Sequence, residues 1–149
     1  VNDQAFGSQP RITIQDQDAN TVTTGTDATQ SVTVSMTNGL AGNASIAAVG
    51  GVATFSGLKY TGLMGLKTVT YSIGSPSQIE KTETITITYG AANKLAVITP
   101  ADGAVNDVVF TTQPKIQVQD ISGNKVANSV LPITASITGP VLGGTAASP

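Results

Sequence analysis

VNDQAFGSQPRITIQDQDANTV (1–22) returns as VNDVVFTTQPKIQVQDISGNKV (105–126), and every pair keeps the same offset of 104 with no gap. Val1/Val105, Asn2/Asn106, Asp3/Asp107, Phe6/Phe110, Gln9/Gln113, Pro10/Pro114, Ile12/Ile116, Gln15/Gln119, Asp16/Asp120, Asn20/Asn124 and Val22/Val126 are identical. Chance would supply roughly one or two such matches in that span, so the stretch is an internal repeat. After a three-residue deletion the match resumes, with VTVSMTNG (32–39) against ITASITGP (133–140). A period of about 100 residues is too long for a solenoid turn and suits a whole domain in a tandem array. The chain therefore reads as one near-complete copy, 1–89, followed by a partial second copy, 90–149, whose linker and first strand occupy 90–104. NKLAVITPADGA (93–104) has no counterpart before Val1, and about 46–89 has none after Pro149. The first copy thus reads as a domain lacking its first strand.

Within each copy the apolar residues fall on every second position. Ile12 and Ile14 alternate with Arg11, Thr13 and Gln15, and Val32, Val34 and Met36 alternate with Thr33, Ser35 and Thr37. Val69, Tyr71 and Ile73 form a third such set, and Ile85, Ile87 and Tyr89 a fourth. Period-two runs rich in Thr, Val and Ile predict half-buried antiparallel strands. Asn38-Gly39, Gly50-Gly51, Ser75-Pro76 and the stretch from Pro100 to Gly103 supply the turns. No segment has helical periodicity. The expected fold is all-β: an Ig-like antiparallel β-sandwich, present as a tandem repeat.

Composition excludes several kinds of chemistry. The 149 residues include no Cys and no His, which removes thiol nucleophiles, disulfides, imidazole catalysis and the usual zinc ligands. A net charge of −2 without a basic cluster argues against nucleic acid as a partner. The apolar runs are too short for a membrane span. With no signal segment and no initiator Met, the chain reads as a mature product or a piece of something longer. Low charge, at 11%, and abundant hydroxyls suit an exported protein at the cell surface.

With the strands placed, the chain resembles bacterial immunoglobulin-like repeats of the invasin/intimin type. QDQDANTV (15–22) and QDISGNKV (119–126) are similar to the family's D-x-x-G-N-x-V corner. GVATFSGL (51–58) is similar to its G-x-A-T-F-x-x-L strand, and GLKTVTYSI (65–73) stands where a late strand reads G-x-Y-x-V-x-A. The first copy departs from the pattern at Ala19, where the corner usually has Gly, and the Pro that often follows the Asn is replaced by Thr21 in the first copy and Lys125 in the second. The resemblance implies a spacer, adhesive or assembly role in a large surface protein, without catalysis.

Asp16-x-Asp18-x-Asn20 has the spacing that opens a calcium loop. Such a loop needs Gly at position six and a bidentate acid at position twelve. Here Thr21 and Asp27 hold those places, and the second copy has Ser122 at position three, Lys125 at six and Leu131 at twelve. A turn stabilised by Asp and Asn side chains is the preferred reading over Ca²⁺. Asp3, Asp102 and Asp107 are the alternative cation ligands, at a domain junction. No cofactor is otherwise expected.

Glu80 and Glu83 are the nearest pair of acids away from the turns, and their odd spacing puts them on opposite faces of a strand. They read as a solvated edge rather than a catalytic pair. The Thr runs 21–29 and 82–88 read as ordinary exposed strand residues. Tyr71 and Tyr89 fall on buried-facing positions, leaving Tyr60 as the aromatic available to a sugar. Asn43-Ala44-Ser45 is a glycosylation sequon.

The expected function is a non-catalytic structural repeat: a stalk, fibre or surface-layer block of an exported cell-surface protein. Its expected partners are neighbouring Ig-like repeats or copies of itself. Polymerisation by strand complementation is expected to use Leu95, Val97 and Ile98 of LAVITP (95–100). The alternative is an adhesive or carbohydrate-binding module whose partners are host or surface glycans.

Overall fold

The computed structural model describes residues 1–37, 39–74 and 79–136. Asn38, the Ser75-Pro76 turn and the end of the second repeat match (137–140) lie outside the described residues. The chain divides into two compact units, Val1–Gly90 and Ala91–Pro149.

The first unit is built of antiparallel sheets. β1 (Arg11–Thr13) pairs with β5 (Val52–Thr54), Ile12 lying opposite Ala53. β2 (Ser31–Met36) is the hub of a four-stranded sheet in the order β4-β2-β7-β8, with β4 (Ser45–Ala47), β7 (Gly65–Ile73) and β8 (Ile79–Ile87). Two short strands, β3 (Leu40–Ala41) and β6 (Lys59–Tyr60), form a further pair. The N-terminal segment runs along β6 as well: Ala5 bridges Lys59, and the Phe6 N–H donates to the Leu58 carbonyl. The only helical piece among the described residues is a 3-10 turn, Asp27–Thr29, inside the first Thr run.

The period-two pattern has the expected result at every strand where it was strong. Val32 and Val34 are buried while Ser31, Thr33 and Ser35 are exposed. Val69, Tyr71 and Ile87 turn the same way. Val32, Val34, Val69 and Tyr71 meet Ile14, Ala48, Ala53, Phe55 and Leu58 in one apolar cluster, so side chains of the four-stranded sheet pack on side chains of the β1–β5 side. Phe55 and Tyr71 lie across this cluster with ring centroids 6.3 Å apart and planes tilted by 49°. Burying such side chains stabilises by about 1.5–3 kcal/mol each, which makes the cluster the main source of this unit's stability.

In the second unit, β9 (Lys94–Thr99) pairs antiparallel with β10 (Lys115–Gln119). Leu95 lies opposite Val118 and Val97 opposite Ile116, with an irregularity next to Lys115 that makes Ile98 the extra residue. Val118 is buried, whereas Leu95 and Val97 remain exposed.

The structure corrects the reading of Tyr60. It is 1% exposed, enclosed because Gly39 and Gly62 bring backbone against its ring, and Lys67 Nζ stands 5.6 Å from the ring centroid. It is not a platform for a sugar.

Candidate functional site

Two features of the described residues carry chemistry: the acidic turn that occurs in both units, and the edge beside β1.

The turn is built the same way twice. Asp16 N–H donates to the Asn20 carbonyl at 2.9 Å, and Asp120 N–H to the Asn124 carbonyl at 2.9 Å. Asp16 Oδ1 accepts the N–H groups of Asp18 at 3.0 Å and Asn20 at 2.9 Å. Asp120 Oδ1 accepts those of Ser122 at 3.0 Å and Asn124 at 2.9 Å. The Asn amide then donates to the second oxygen, at 3.2 Å from Asn20 to Asp16 and 2.8 Å from Asn124 to Asp120. Ala19 holds φ 64° and Gly123 φ 90° at the matching position. Upstream, Gln9 Nε2 donates to the Phe6 carbonyl and Gln113 Nε2 to the Phe110 carbonyl, both at 3.0 Å, while Asp3 and Asp107 share φ 59°.

This is Asx-turn chemistry: a carboxylate takes the donors that a reversing backbone leaves over. It also bears on the calcium reading. Asp16 Oδ1 and Oδ2 are ringed by N–H groups whose hydrogens point at the oxygens a cation would need, and Asn20 turns its amide nitrogen inward instead of its oxygen. Those same donors, the Asn20 N–H first, then the Asn20 side chain and Asp18 N–H, hold the Asp16 carboxyl below the ordinary 3.8. The residues therefore fit a turn better than a metal. The junction acids are likewise engaged locally. Asp3 receives Lys59 Nζ at 2.9 Å and Thr61 at 3.0 Å, Asp102 receives Gly103 N–H at 2.7 Å, and Asp107 receives Asn106 at 3.1 Å.

The edge beside β1 follows from strand alternation. Ile14 N–H donates to the Gly51 carbonyl and the Pro10 carbonyl accepts Phe55 N–H, so the even-numbered residues direct their backbone groups at β5. Arg11, Thr13 and Gln15 direct theirs the other way, where no described strand pairs with them. A cleft of about 240 Å³ lies within this unit, between the N-terminal segment at Phe6 and Pro10 and the β7–β8 residues Tyr71, Ile85 and Ile87. Its walls are mainly apolar side chains.

Glu83 stands at the rim of that cleft and is more than a solvated charge. It lies opposite Val69 on the core-facing side of β8, where its Oε1 accepts the Tyr71 hydroxyl at 2.6 Å. Burial, and then the Glu83 carboxylate, raise the Tyr71 phenol well above its ordinary range. Glu80 points to the other face, opposite Ser72. Glu83 was legible only as an odd spacing in the sequence; the partner across the strands could be found once the β7–β8 register was known.

Leu95, Val97 and Ile98 lie together on β9, exposed at 58%, 62% and 55%. Asn43 is exposed in the loop between β3 and β4. No helix among the described residues is long and apolar enough to cross a membrane. No protein-family model, curated protein or solved structure matches the chain.

Proposed function

We infer that the chain is a non-catalytic structural module of an exported cell-surface protein: Ig-like β-sandwiches in tandem, acting as stalk, fibre or surface-layer block. The observation that carries this reading is the recurrence of one local structure at an offset of 104. The same carboxylate turn, the same Gln-to-carbonyl bond and the same left-handed Asp appear in both units. A chain that spends its sequence on repeating a scaffold, with no His and no Cys, is suited to extension rather than turnover. The apolar cluster shared by the four-stranded sheet and the β1–β5 side supports a two-layer sandwich. Nine-residue strands such as β7 and β8 span ~30 Å, so each copy would add a few nanometres of length. Strand complementation between copies is the assembly route this reading favours.

Joining two, three and four copies of residues 1–104 in frame and measuring each by small-angle X-ray scattering tests the module. A constant increase in maximum dimension per copy is expected, with no binding on a glycan array. Compact particles whose length does not grow would refute the stalk, and saturable glycan binding would replace it with the adhesive alternative.

A further inference from the structure

We propose that Asn43 carries an N-linked glycan, and that this sugar guards the uncharged edge of the four-stranded sheet against strand addition. The proposal rests on the export argued above, because such glycans are added to exported chains.

Asn43-Ala44-Ser45 is the one Asn-x-Ser/Thr sequence in the chain. The fold presents it as an acceptor must be presented. Asn43 and Ser45 are exposed, while Ala44 between them is half-buried and its carbonyl accepts the Val34 N–H at 2.8 Å. Residues two apart on an extended chain share a face, so the acceptor amide and the hydroxyl that the motif requires open on one side of the sheet. The Ser45 hydroxyl lies 3.3 Å from that of Thr33, its exposed neighbour on β2. Just before Asn43, Gly42 holds φ 109° in a turn where a Cβ would meet the Gly57 carbonyl oxygen at 2.6 Å. The turn is thereby seated on the β5–β6 connection, and Asn43 stands on its outer side.

What a glycan does at this place follows from charge. β4 and β8 are the two edges of the sheet. Glu80, Lys81 and Glu83 protect β8, whereas residues 28–58, which include the whole of β4, contain no charged side chain. The Ala44 carbonyl and the Ala48 N–H bond to β2 and its flank, so Ser45 and Ala47 direct their amides and carbonyls outward. No described strand pairs with β4 on that side. Ala47 is exposed beside it, and a docking strand meets no charge there. A bulky, hydrated sugar on Asn43 fills the space such a strand needs, and so does at β4 what charge does at β8.

The donor is an oligosaccharide held through C1 on a lipid phosphate or diphosphate. In the transfer, a bond forms between C1 and Asn43 Nδ2 and the bond between C1 and the phosphate oxygen breaks. The nitrogen gives one proton to a base of the transferase, the lipid phosphate departs with the bonding electrons, and nothing is oxidised or reduced.

The test passes the full chain through a eukaryotic secretory pathway and reads its intact mass. One glycan is expected, located at Asn43 by tandem mass spectrometry after an amidase has released the sugar and left a carboxylate there. It should be absent in Asn43→Gln and Ser45→Ala and present in Ser45→Thr. With circular dichroism unchanged, the released chain and Asn43→Gln should both show several-fold more associated material by light scattering than the glycosylated chain. Adding Ala47→Lys to Asn43→Gln should restore the monomer, which a loss of folding at residue 43 would not allow. A secreted chain of unmodified mass, when a sequon appended after Pro149 is modified, overturns the proposal. Association that is the same with and without the sugar overturns the guarding role. Concatenated copies that lengthen while Asn43 stays bare leave the stalk standing alone; a glycosylated Asn43 in copies that do not lengthen leaves the glycan and removes the stalk.

Discussion

Ala19 holds a left-handed backbone that costs a residue with a Cβ about 1–2 kcal/mol, and the second unit solves the same turn with Gly123. Ala19→Gly relieves that strain but gives back some chain entropy in the unfolded state, so a net gain of about 0.5–1 kcal/mol is expected in urea denaturation. Gly123→Ala is expected to lose a similar amount. The carboxylate in the turn has its own signature. Because the folded state holds the Asp16 carboxyl below its unfolded value, its contribution is present above pH ~4 and fades as pH falls through the lower folded value. In Asn20→Ala the NMR titration of Asp16 should move up only in part, since the backbone N–H of residue 20, the larger cause, survives the substitution. Tyr71 behaves in the opposite sense. Its phenol titrates late, so the stability it adds is complete below pH ~10 and is lost only as pH rises through the higher folded value. Glu83→Gln should bring the phenol's ultraviolet titration part of the way down, because burial, the larger cause, remains.

At the scale of elements, the strands are held by two devices that act on different parts of the sequence. β2, β7 and the inner end of β8 are held by burial, and Phe55→Ala, which opens a hole between Ala53 and Tyr71 side chains in the cluster, is expected to cost about 3–5 kcal/mol in thermal or urea unfolding. The outer end of β8 carries exposed charge, which disfavours strand addition. Lys81 lies opposite Tyr71 and Glu83 opposite Val69, so both charges sit on the core-facing side where a docking sheet would need apolar residues. Replacing both with Val should leave the fold intact and produce concentration-dependent aggregates, seen by light scattering. These two devices also explain what was legible beforehand. β1, β2, β7 and β8 could be read from residues 11–15, 32–37, 67–73 and 82–89 because alternation over five or more residues leaves one solution for which face is buried. β3, β4 and β6 are two or three residues long and have no period to read. The burial of Tyr60 is a tertiary effect of Gly39 and Gly62, which a reading of aromatic content alone assigned to the surface. The Asp16 turn was legible as a turn because Asp and Asn at that spacing have local partners, whereas the pairing of Glu83 with Tyr71 depends on a register that only the assembled sheet defines.

At the scale of the molecule, the two units differ in what holds each of them. The first contains the apolar cluster from Ile14 to Tyr71, with Val32, Ala53 and Leu58 fully covered. In the second, Val118 is the only hydrophobic residue of the described stretch that is buried, while Leu95, Val97, Val105, Val108 and Val109 remain exposed. Cooperative stability scales with the apolar area removed from water, so the units should open at different free energies rather than together. Limited proteolysis is expected to cut after Gly90 first and to leave a resistant fragment of the first unit, and denaturation followed by circular dichroism should resolve two transitions. Amide exchange carries the same ordering to single residues. Val34, opposite Tyr71, and Val69, opposite Met36, should exchange only with opening of the first unit, whereas Leu95 and Val97 should exchange far sooner. Simultaneous loss of protection at β7 and β9 would mean that the units unfold as one, and the difference in their cores would then have no energetic consequence.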